Sequence, residues 1–289
     1  MTGCRCILAA VDFGTGTEKI VSYAAYFSSV MKAPVRLLYV MDYLLTPPAY
    51  LLPYLEEEKK RGETEMAALQ ALLEKAGVQS DFRLMTGRLH ESFVAAIAEY
   101  KPGLMVIGYA SHAFRPSSSE RLIRSLEMPM LVVRGKRPES SAIGSVKMRK
   151  ILCAVDFSGS SQKALQQAAV YASAFSASLH VMHAIPSHAL KKRWAEWESG
   201  TKDMEQFDAS LASQAREELS RMVRDAGIAA RSDLMHGMPS EAICRAAESG
   251  EYDLVVMGAR GLSHIKGVLV GSVTEAVIKA SPCPVLIVH

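Results

Sequence analysis

The chain has 289 residues, of which 49% are hydrophobic and 22% are charged, and its formal net charge is +3. This length suits one large or two ordinary domains with a buried core, and the small net charge gives no argument for nucleic acid or an anionic membrane as a partner. No apolar run reaches the length that spans a bilayer, and the apolar stretch near the N-terminus is too short for a signal sequence, so we expect a cytoplasmic protein.

The first half of the chain alternates between apolar runs of strand length and segments in which apolar residues recur at helical spacing. The predicted strands are residues 6–11, 35–41, 81–85, 104–107 and 130–133. The predicted helices are residues 18–31, 56–76 and 92–100. Because most of these strands are apolar along their whole length, they suit a sheet that is covered on both faces.

The second half repeats this alternation in the same order. Its predicted strands are residues 151–155, 179–185, 231–235, 254–257 and 285–288. Its predicted helices are residues 162–175, 207–226, 241–248 and 273–279. Strands that alternate with helices predict a parallel, doubly wound sheet with right-handed crossovers. Ligands of such a sheet bind beyond the carboxyl ends of the strands, where we expect Asp12, Asp156, Gly108 and Gly258.

The two halves are copies of one domain. The sequence ILAAVDF at residues 7–13 recurs as ILCAVDF at residues 151–157, an offset of 144. The offset grows to 150 at Gly108 and Gly258 and to 155 at the last strands, so the second copy has six extra residues in its middle and five in the loop after Gly258. We therefore predict a first domain at residues 1–134, a linker at 135–147 and a second domain at 148–289.

The loop at residues 258–272 comes closest to indicating a chemistry. Its spacing is Gly258-x2-Gly261-x9-Gly271-Ser272, and it joins a predicted strand to a predicted helix. Glycine lets the backbone approach a ligand, the first N–H groups of a helix have no intrahelical partner, and the helix dipole favours an anion. With the hydroxyls of Ser272 and Thr274 as further donors, the loop predicts a phosphate site. For Gly271 and Ser272 alone, the alternative is an ordinary helix cap.

Two further residues are expected at strand ends near this loop. Asp156 ends the first strand of the second copy, where a carboxylate can accept ribose hydroxyls, hold a metal-bound water or cap the next helix. Ala184, at the end of the second strand, is small enough to leave room for a purine ring. The histidines of this region, His183, His236 and His264, lack the Cys and His spacing of zinc sites, so no protein metal site is predicted.

These residues resemble the universal stress protein family, in a tandem form that covers nearly the whole chain. The resemblance is carried by the strand that ends in Asp156, by His183-Ala184-Ile185, by the G-x2-G-x9-G-[ST] loop and by the closing strand at residues 281–288. It implies two tandem α/β domains, each a doubly wound, Rossmann-like, adenine nucleotide alpha hydrolase-like fold with a five-stranded, mostly parallel sheet and helices on both faces.

The loop is the signature of the family's ATP-binding branch, so the resemblance also implies a site for ATP, with ADP or AMP as alternatives and Mg²⁺ as a companion of the phosphates. It implies that Asp156 contacts the ribose side and that Ala184 lies beside the adenine. It implies that the phosphates are held by Gly258, Gly261, Gly271 and Ser272. The matching neighbouring pocket positions are Val155, Met257, Val273 and Thr274.

The first copy departs from this pattern. Ser111 stands where Gly261 would be, five loop residues are missing, and no glycine lies between Gly108 and Pro129. We therefore predict that the first domain has no ATP site and acts as a structural or regulatory pseudo-dimer partner. Its residues Ser117, Ser118 and Ser119, with Arg115, Arg121 and Arg124, could bind a different anion or could simply begin a solvated helix.

The partner expectations follow from the repeat and from one unusual segment. The last strands, Met130–Val133 and Val285–Val288, are expected to pair within one chain, and two chains could also form a homodimer. The basic and aromatic segment at residues 187–206 could form a flap, a partner surface or an amphipathic crossover helix. His264 and Lys266, inside the loop, could touch phosphate or face solvent.

Two classes of function fit these features. The first is a stress-response protein that binds an adenine nucleotide in its second domain and works as a nucleotide-dependent regulator. The alternative is a slow ATPase or an enzyme of adenylyl or phosphoryl transfer. The binding class is favoured because phosphoryl transfer needs metal ligands and a positioned nucleophile, and the sequence shows no acidic metal pair near the loop.

Overall fold

The computed structural model describes residues 5–42, 52–109, 117–134, 143–185, 201–262 and 269–289, with the backbone alone described at 201–208. The chain divides into two units, Met1–Lys147 and Met148–His289. No helix within the described ranges is long and apolar enough to cross a membrane.

The first unit is a parallel sheet of five strands with four helices described. The strands are β1 (Ile7–Ala10), β2 (Val35–Asp42), β3 (Ser80–Gly87), β4 (Leu104–Gly108) and β5 (Met130–Val133). The helices are α1 (Thr17–Met31), α2 (Leu52–Lys75), α3 (Leu89–Tyr100) and α4 (Ser118–Ser125). The strand order in this unit is β3-β2-β1-β4-β5, and every neighbouring pair among them is parallel.

The second unit repeats the plan. Its strands are β6 (Lys150–Ala154), β7 (Ser178–Ile185), β8 (Arg231–His236), β9 (Leu254–Gly258) and β10 (Val285–Val288). Its described helices are α5 (Gly159–Phe175), α6 (Thr201–Asp225), α7 (Pro239–Ser249) and α8 (Ser272–Ala280). The strand order in this unit is β8-β7-β6-β9-β10, again with parallel neighbours throughout.

The strand order explains where the helices lie. In each unit the chain moves outward from the central strand in one direction and then returns to build the other side of the sheet. Because parallel crossovers are right-handed, the first two helices of a unit cover one face and the last two cover the opposite face. The inner strands are accordingly buried on both sides, with Ile7, Leu104, Ile151 and Leu254 fully inaccessible to solvent.

The predicted α/β class with parallel sheets is confirmed, and the differences are local. Helix α4 was foreseen only as one alternative, a solvated helix start after Ser117. Helix α6 begins at Thr201, inside the basic and aromatic segment and six residues before the predicted start. Residues 186–200 of that segment lie outside the described ranges, so its other predicted roles are not addressed.

The sheet order also places the crevice of the second unit. Strand β6 lies between β7 and β9. The chain leaves the carboxyl end of β6 towards one face of the sheet and leaves that of β9 towards the other face. A crevice opens at such a switch point. Asp156 follows β6 and Gly258 ends β9, so both lie at this crevice.

Candidate functional site

A cavity of about 350 Å³ lies at the carboxyl ends of β6, β7 and β9 in the second unit. All ten residues predicted for the site line it: Val155, Asp156, Ala184, Met257, Gly258, Gly261, Gly271, Ser272, Val273 and Thr274. The remaining lining residues are Ala154, Ser161, Met182, His183, Pro239, Ile243, Arg260 and Leu262. The structure therefore brings together residues that lie up to 120 positions apart in the chain.

One part of the cavity wall is apolar. Met182 and Ala184 come from β7, Val155 follows β6, and Ile243 comes from α7, and all four side chains are buried. Ala184 is the smallest of the four, so its position on the wall leaves the space that a larger side chain would fill. A wall of this kind suits a flat apolar ring.

The N-terminus of α8 forms the polar part of the wall. Gly271 is the N-cap residue, and none of the described side chains caps the helix. Its own N–H donates to the Ala259 carbonyl at 2.7 Å, which closes the base of the loop. The amides of Ser272, Val273 and Thr274 belong to the first turn, where N–H groups have no acceptor within the helix. These amides and the helix dipole make this wall favourable for an anion.

The hydroxyl of Thr274 has a different role from the predicted one. It is buried and donates a hydrogen bond of 2.9 Å to the carbonyl oxygen of Gly258. The side chain therefore ties α8 to the end of β9. Ser272 is exposed at the start of the helix, so its hydroxyl is the one that can reach a ligand.

Asp156 is half-buried, and both of its carboxylate oxygens accept hydrogen bonds. Oδ1 accepts the N–H of Ser158 at 3.1 Å and the hydroxyl of Ser158 at 2.6 Å, while Oδ2 accepts the N–H of Leu262 at 3.1 Å. Helix α5 is capped by Ser158, whose Oγ accepts the N–H of Ser161 at 3.2 Å. Asp156 thus supports the capping residue and also holds the start of the loop.

The glycines of the loop have packing reasons that the sequence did not show. A Cβ at Gly258 would lie 2.5 Å from Oγ and 2.9 Å from the carbonyl carbon of Ser160, so glycine here lets α5 pack against β9. A Cβ at Gly261 would lie closer than 3.0 Å to Oδ2 of Asp156. Space for a ligand was the reason expected from the sequence, and their contact with a ligand stays a prediction.

Arg260 is the main residue that sequence reasoning missed. It lines the cavity, and its Nε donates to the carbonyl of Leu269 at 3.4 Å, which links the two ends of the loop. A guanidinium group is well suited to phosphate oxygens. The sequence signal for this residue is its position, since it is a basic residue between the loop glycines Gly258 and Gly261.

Of the three histidines considered from the sequence, His183 lines the cavity. Its Nδ1 lies 2.8 Å from the carbonyl oxygen of Val155, and since a carbonyl only accepts, Nδ1 carries the proton in this contact. Its ring lies 4.3 Å from the ring of Phe157. His236 ends β8 and is not a lining residue, and His264 and Lys266 lie outside the described residues.

In the corresponding region of the first unit, the described side chains cap α4 and bond to one another. Ser117 caps α4 in a capping box with Glu120, and the hydroxyl of Tyr109 donates to Glu120 at 2.8 Å. Asp42, at the end of β2, accepts the N–H of Leu89 at 3.2 Å and pairs with Arg121 at 3.4 Å. The predicted helix start at Ser117 is therefore what the structure shows. Ser111 and Arg115 lie outside the described residues.

The comparisons with known proteins identify the family of the chain. The model of the universal stress protein family matches residues 4–134 and 147–289. A universal stress protein of Methanocaldococcus jannaschii is 31% identical over 156 residues, which cover 50% of this chain and 96% of the relative. A universal stress protein of Synechocystis is 25% identical over 310 residues, which cover 97% of this chain and 98% of the relative.

Among solved structures, a universal stress protein from Archaeoglobus fulgidus shares the fold, with a TM-score of 0.72 and 21% identity over 99% of this chain and 98% of that chain. The family model covers nearly the whole sequence in two regions. The chain therefore belongs to the universal stress protein family, with the family's domain present twice in tandem.

Proposed function

We propose that the second unit binds an adenine nucleotide in its cavity, and that the protein is a stress-response regulator whose state depends on this nucleotide. ATP is the ligand we favour, with ADP or AMP as alternatives. The observation that carries the proposal is the pairing of an apolar wall with an uncapped helix N-terminus, at the carboxyl ends of β6 and β9. A nucleotide needs both kinds of wall, since its base is flat and apolar and its phosphates are anionic.

The lining residues suggest how the parts of the ligand would be held. The base would lie against Ala184 and its buried neighbours, and the ribose would lie beside Asp156. The phosphates would take the amides of the first turn of α8, with the charge of Arg260 nearby. Mg²⁺ would enter with the phosphates, because this ion is usually bound through substrate phosphates and water.

The first unit is proposed as a partner that binds no nucleotide. The capping box of α4 gives acceptors to the N–H groups of Glu120 and Ser117, so this N-terminus has less to gain from an anion. Pairing of Met130–Val133 with Val285–Val288 within one chain, and homodimer formation, stay predictions. A cytoplasmic location also stays a prediction.

The site can be tested by placing a charge at the helix N-terminus. A Cβ at Gly271 would meet its nearest atoms at 3.6 Å, an ordinary contact, so the backbone leaves room for the Cβ of Gly271→Asp. Aspartate is also a good N-cap, so the free protein should keep or gain stability. Its carboxylate would occupy the amides and repel phosphate, and we expect the affinity for ATP to fall by at least about tenfold, since a charge-assisted hydrogen bond contributes about that much.

Titration calorimetry with ATP and adenosine measures this effect. Gly271→Asp should bind ATP at least about tenfold more weakly and bind adenosine as before, while the control Gly271→Ala should keep both affinities. Unchanged ATP affinity in Gly271→Asp would contradict the placement of the phosphates. If neither ligand binds the unmodified chain at millimolar concentration, the function proposed for the second unit is wrong. Phosphate release at roughly 1–100 per second would instead favour the enzyme alternative.

A further inference from the structure

The start of the loop is held to β6 through one carboxylate. Oδ2 of Asp156 accepts the N–H of Leu262, a residue 106 positions further along the chain, at 3.1 Å. The side chain of Leu262 is 70% exposed, so packing of that side chain does little to fix this part of the loop. The backbone hydrogen bond is therefore the contact that positions it.

The other described contacts of the loop act at its base. Gly271 donates to Ala259, Thr274 donates to Gly258, and Arg260 donates to Leu269. The N–H of Ala259 also donates to the carbonyl of Val288 in β10. These residues belong to the loop, to β9, to β10 or to the first turn of α8. Within the described part of the chain, Asp156 is the residue that connects the first turn of the loop to β6.

Gly261 gives independent support for this connection. Its φ is not in the left-handed region, so its backbone conformation does not require glycine. The described atoms nearest to a Cβ at this position are Oδ2 and Cγ of Asp156, with Oδ2 closer than 3.0 Å. Glycine at 261 is thus explained by the close approach of the carboxylate to the loop.

We propose that Asp156 is a positioning residue that latches the loop at Gly261 and Leu262 to the end of β6 and thereby prepares the phosphate site before a ligand arrives. The consequence for affinity rests on the nucleotide site proposed above, whereas the latch itself does not. A loop that is already ordered loses less conformational entropy on binding. Loss of the latch should therefore weaken phosphate-bearing ligands more than adenosine, which does not use the loop's phosphate contacts.

The latch is tested first without ligand, by hydrogen exchange at the amide of Leu262 in the full chain. Asp156→Ala removes both oxygens. Asp156→Asn keeps the size, but its one oxygen is drawn to the two donors of Ser158, so Leu262 loses its acceptor. Both variants should lower the protection of this amide by roughly tenfold to a hundredfold, the range for a hydrogen bond to a charged group.

The control is Asp12→Ala, at the same position of the first unit, where the carboxylate accepts the N–H of Gly14 at 2.9 Å. It should leave the Leu262 amide unchanged. Unchanged protection in both Asp156 variants would overturn the latch. If Asp156→Ala does not fold, Asp156→Asn decides the question alone.

A steric test uses the same pair of residues. Gly261→Ala should lower the protection of the Leu262 amide when Asp156 is present, because the added Cβ displaces the carboxylate. In the Asp156→Ala background the same substitution should add nothing further. An equal effect in both backgrounds would show that Gly261 is constrained by something other than Asp156.

The functional part is tested by the ratio of the affinities for ATP and adenosine. In Asp156→Asn this ratio should fall by roughly tenfold relative to the unmodified chain, the factor expected for one such hydrogen bond. Equal losses for both ligands would assign Asp156 to the ribose alone and overturn its positioning role. If the unmodified chain binds neither ligand, the proposed nucleotide site fails, and the exchange experiment still decides whether the latch exists.

Discussion

The two units use the helix after their fourth strand in opposite ways. In the first unit, the N-terminus of α4 is closed by the capping box of Ser117 and Glu120. In the second unit, the N-terminus of α8 begins at Gly271 without a side-chain cap among the described residues, and it lines a cavity. The comparison teaches that one fold can cap this helix with its own side chains or leave it without a side-chain cap on the wall of a cavity.

Other features are shared by both units and so belong to the fold. Phe13 and Phe157 each follow the aspartate after the first strand, and both have positive φ values, 56° and 65°. Each ring also contacts an aromatic side chain on the second strand, Tyr39 in the first unit and His183 in the second. An Asp-Phe turn is therefore no evidence for a nucleotide, and the difference lies in the loop and the helix that follows it.

The largest expected effect concerns the glycines that end β4 and β9. In Gly258→Ala the new Cβ would meet the backbone of Ser160, which cannot move without shifting α5, so we expect the free energy of unfolding to fall by about 1–3 kcal/mol. In Gly108→Ala the nearest atom is the flexible end of Ile20 at 2.9 Å, so the loss should be smaller. Denaturant unfolding of both variants gives the comparison, and equal losses would contradict it.

A smaller effect on stability is expected when the N-cap residue of α4 or α8 is replaced by alanine. Ser117→Ala removes the acceptor for the N–H of Glu120 and should cost about 1 kcal/mol of stability. Gly271→Ala removes no side-chain cap, and because alanine is a poorer N-cap than glycine it should cost about 0.5 kcal/mol, less than Ser117→Ala. Thermal unfolding of the ligand-free variants measures both. A loss for Gly271→Ala that exceeds the loss for Ser117→Ala would contradict this difference between the two N-cap residues.

The smallest effect is a difference in pH dependence. His180 in the second unit occupies the position of Arg36 in the first, and its ring contacts Tyr252 and Asp233. Burial lowers the pKa of His180, an effect that the charge of nearby Arg231 adds to and that of Asp233 opposes. The unfolded chain has the ordinary histidine pKa of about 6.5, so just below that pH the folded unit binds fewer protons than the unfolded chain.

Stability of the second unit should therefore fall as the pH drops below about 6.5. Denaturant unfolding of the unmodified chain and of His180→Gln, between about pH 7.5 and 5.5, measures this contribution. The variant should lose less stability over this interval than the unmodified chain. The same pH dependence in both proteins would show that His180 does not contribute to the pH dependence of stability.

Much of the site could be predicted because it follows from local patterns and from the repeat. Strand ends such as Asp156 and Gly258 are set by where apolar runs stop, and a parallel sheet brings such ends to one edge. The comparison of copies then identified the loop as the place where they differ. The capping box of Ser117 and Glu120 also follows from a local pattern, S-x-x-E.

What could not be predicted depends on contacts between distant residues. A Cβ at Gly261 would clash with the carboxylate of Asp156, and the hydroxyl of Thr274 donates its hydrogen bond to the carbonyl of Gly258. Neither contact can be predicted from the spacing of residues within the loop. The role of Arg260 is similar, because only the fold shows that this side chain lies on the cavity wall.

The most direct measurement is the number of nucleotides bound per chain, by titration calorimetry or native mass spectrometry with ATP. One nucleotide is expected for the unmodified protein, and Gly271→Asp should bind it at least about tenfold more weakly, because the second unit holds the proposed site. Two nucleotides per chain, or one that Gly271→Asp binds with unchanged affinity, would contradict the difference between the two helix N-termini.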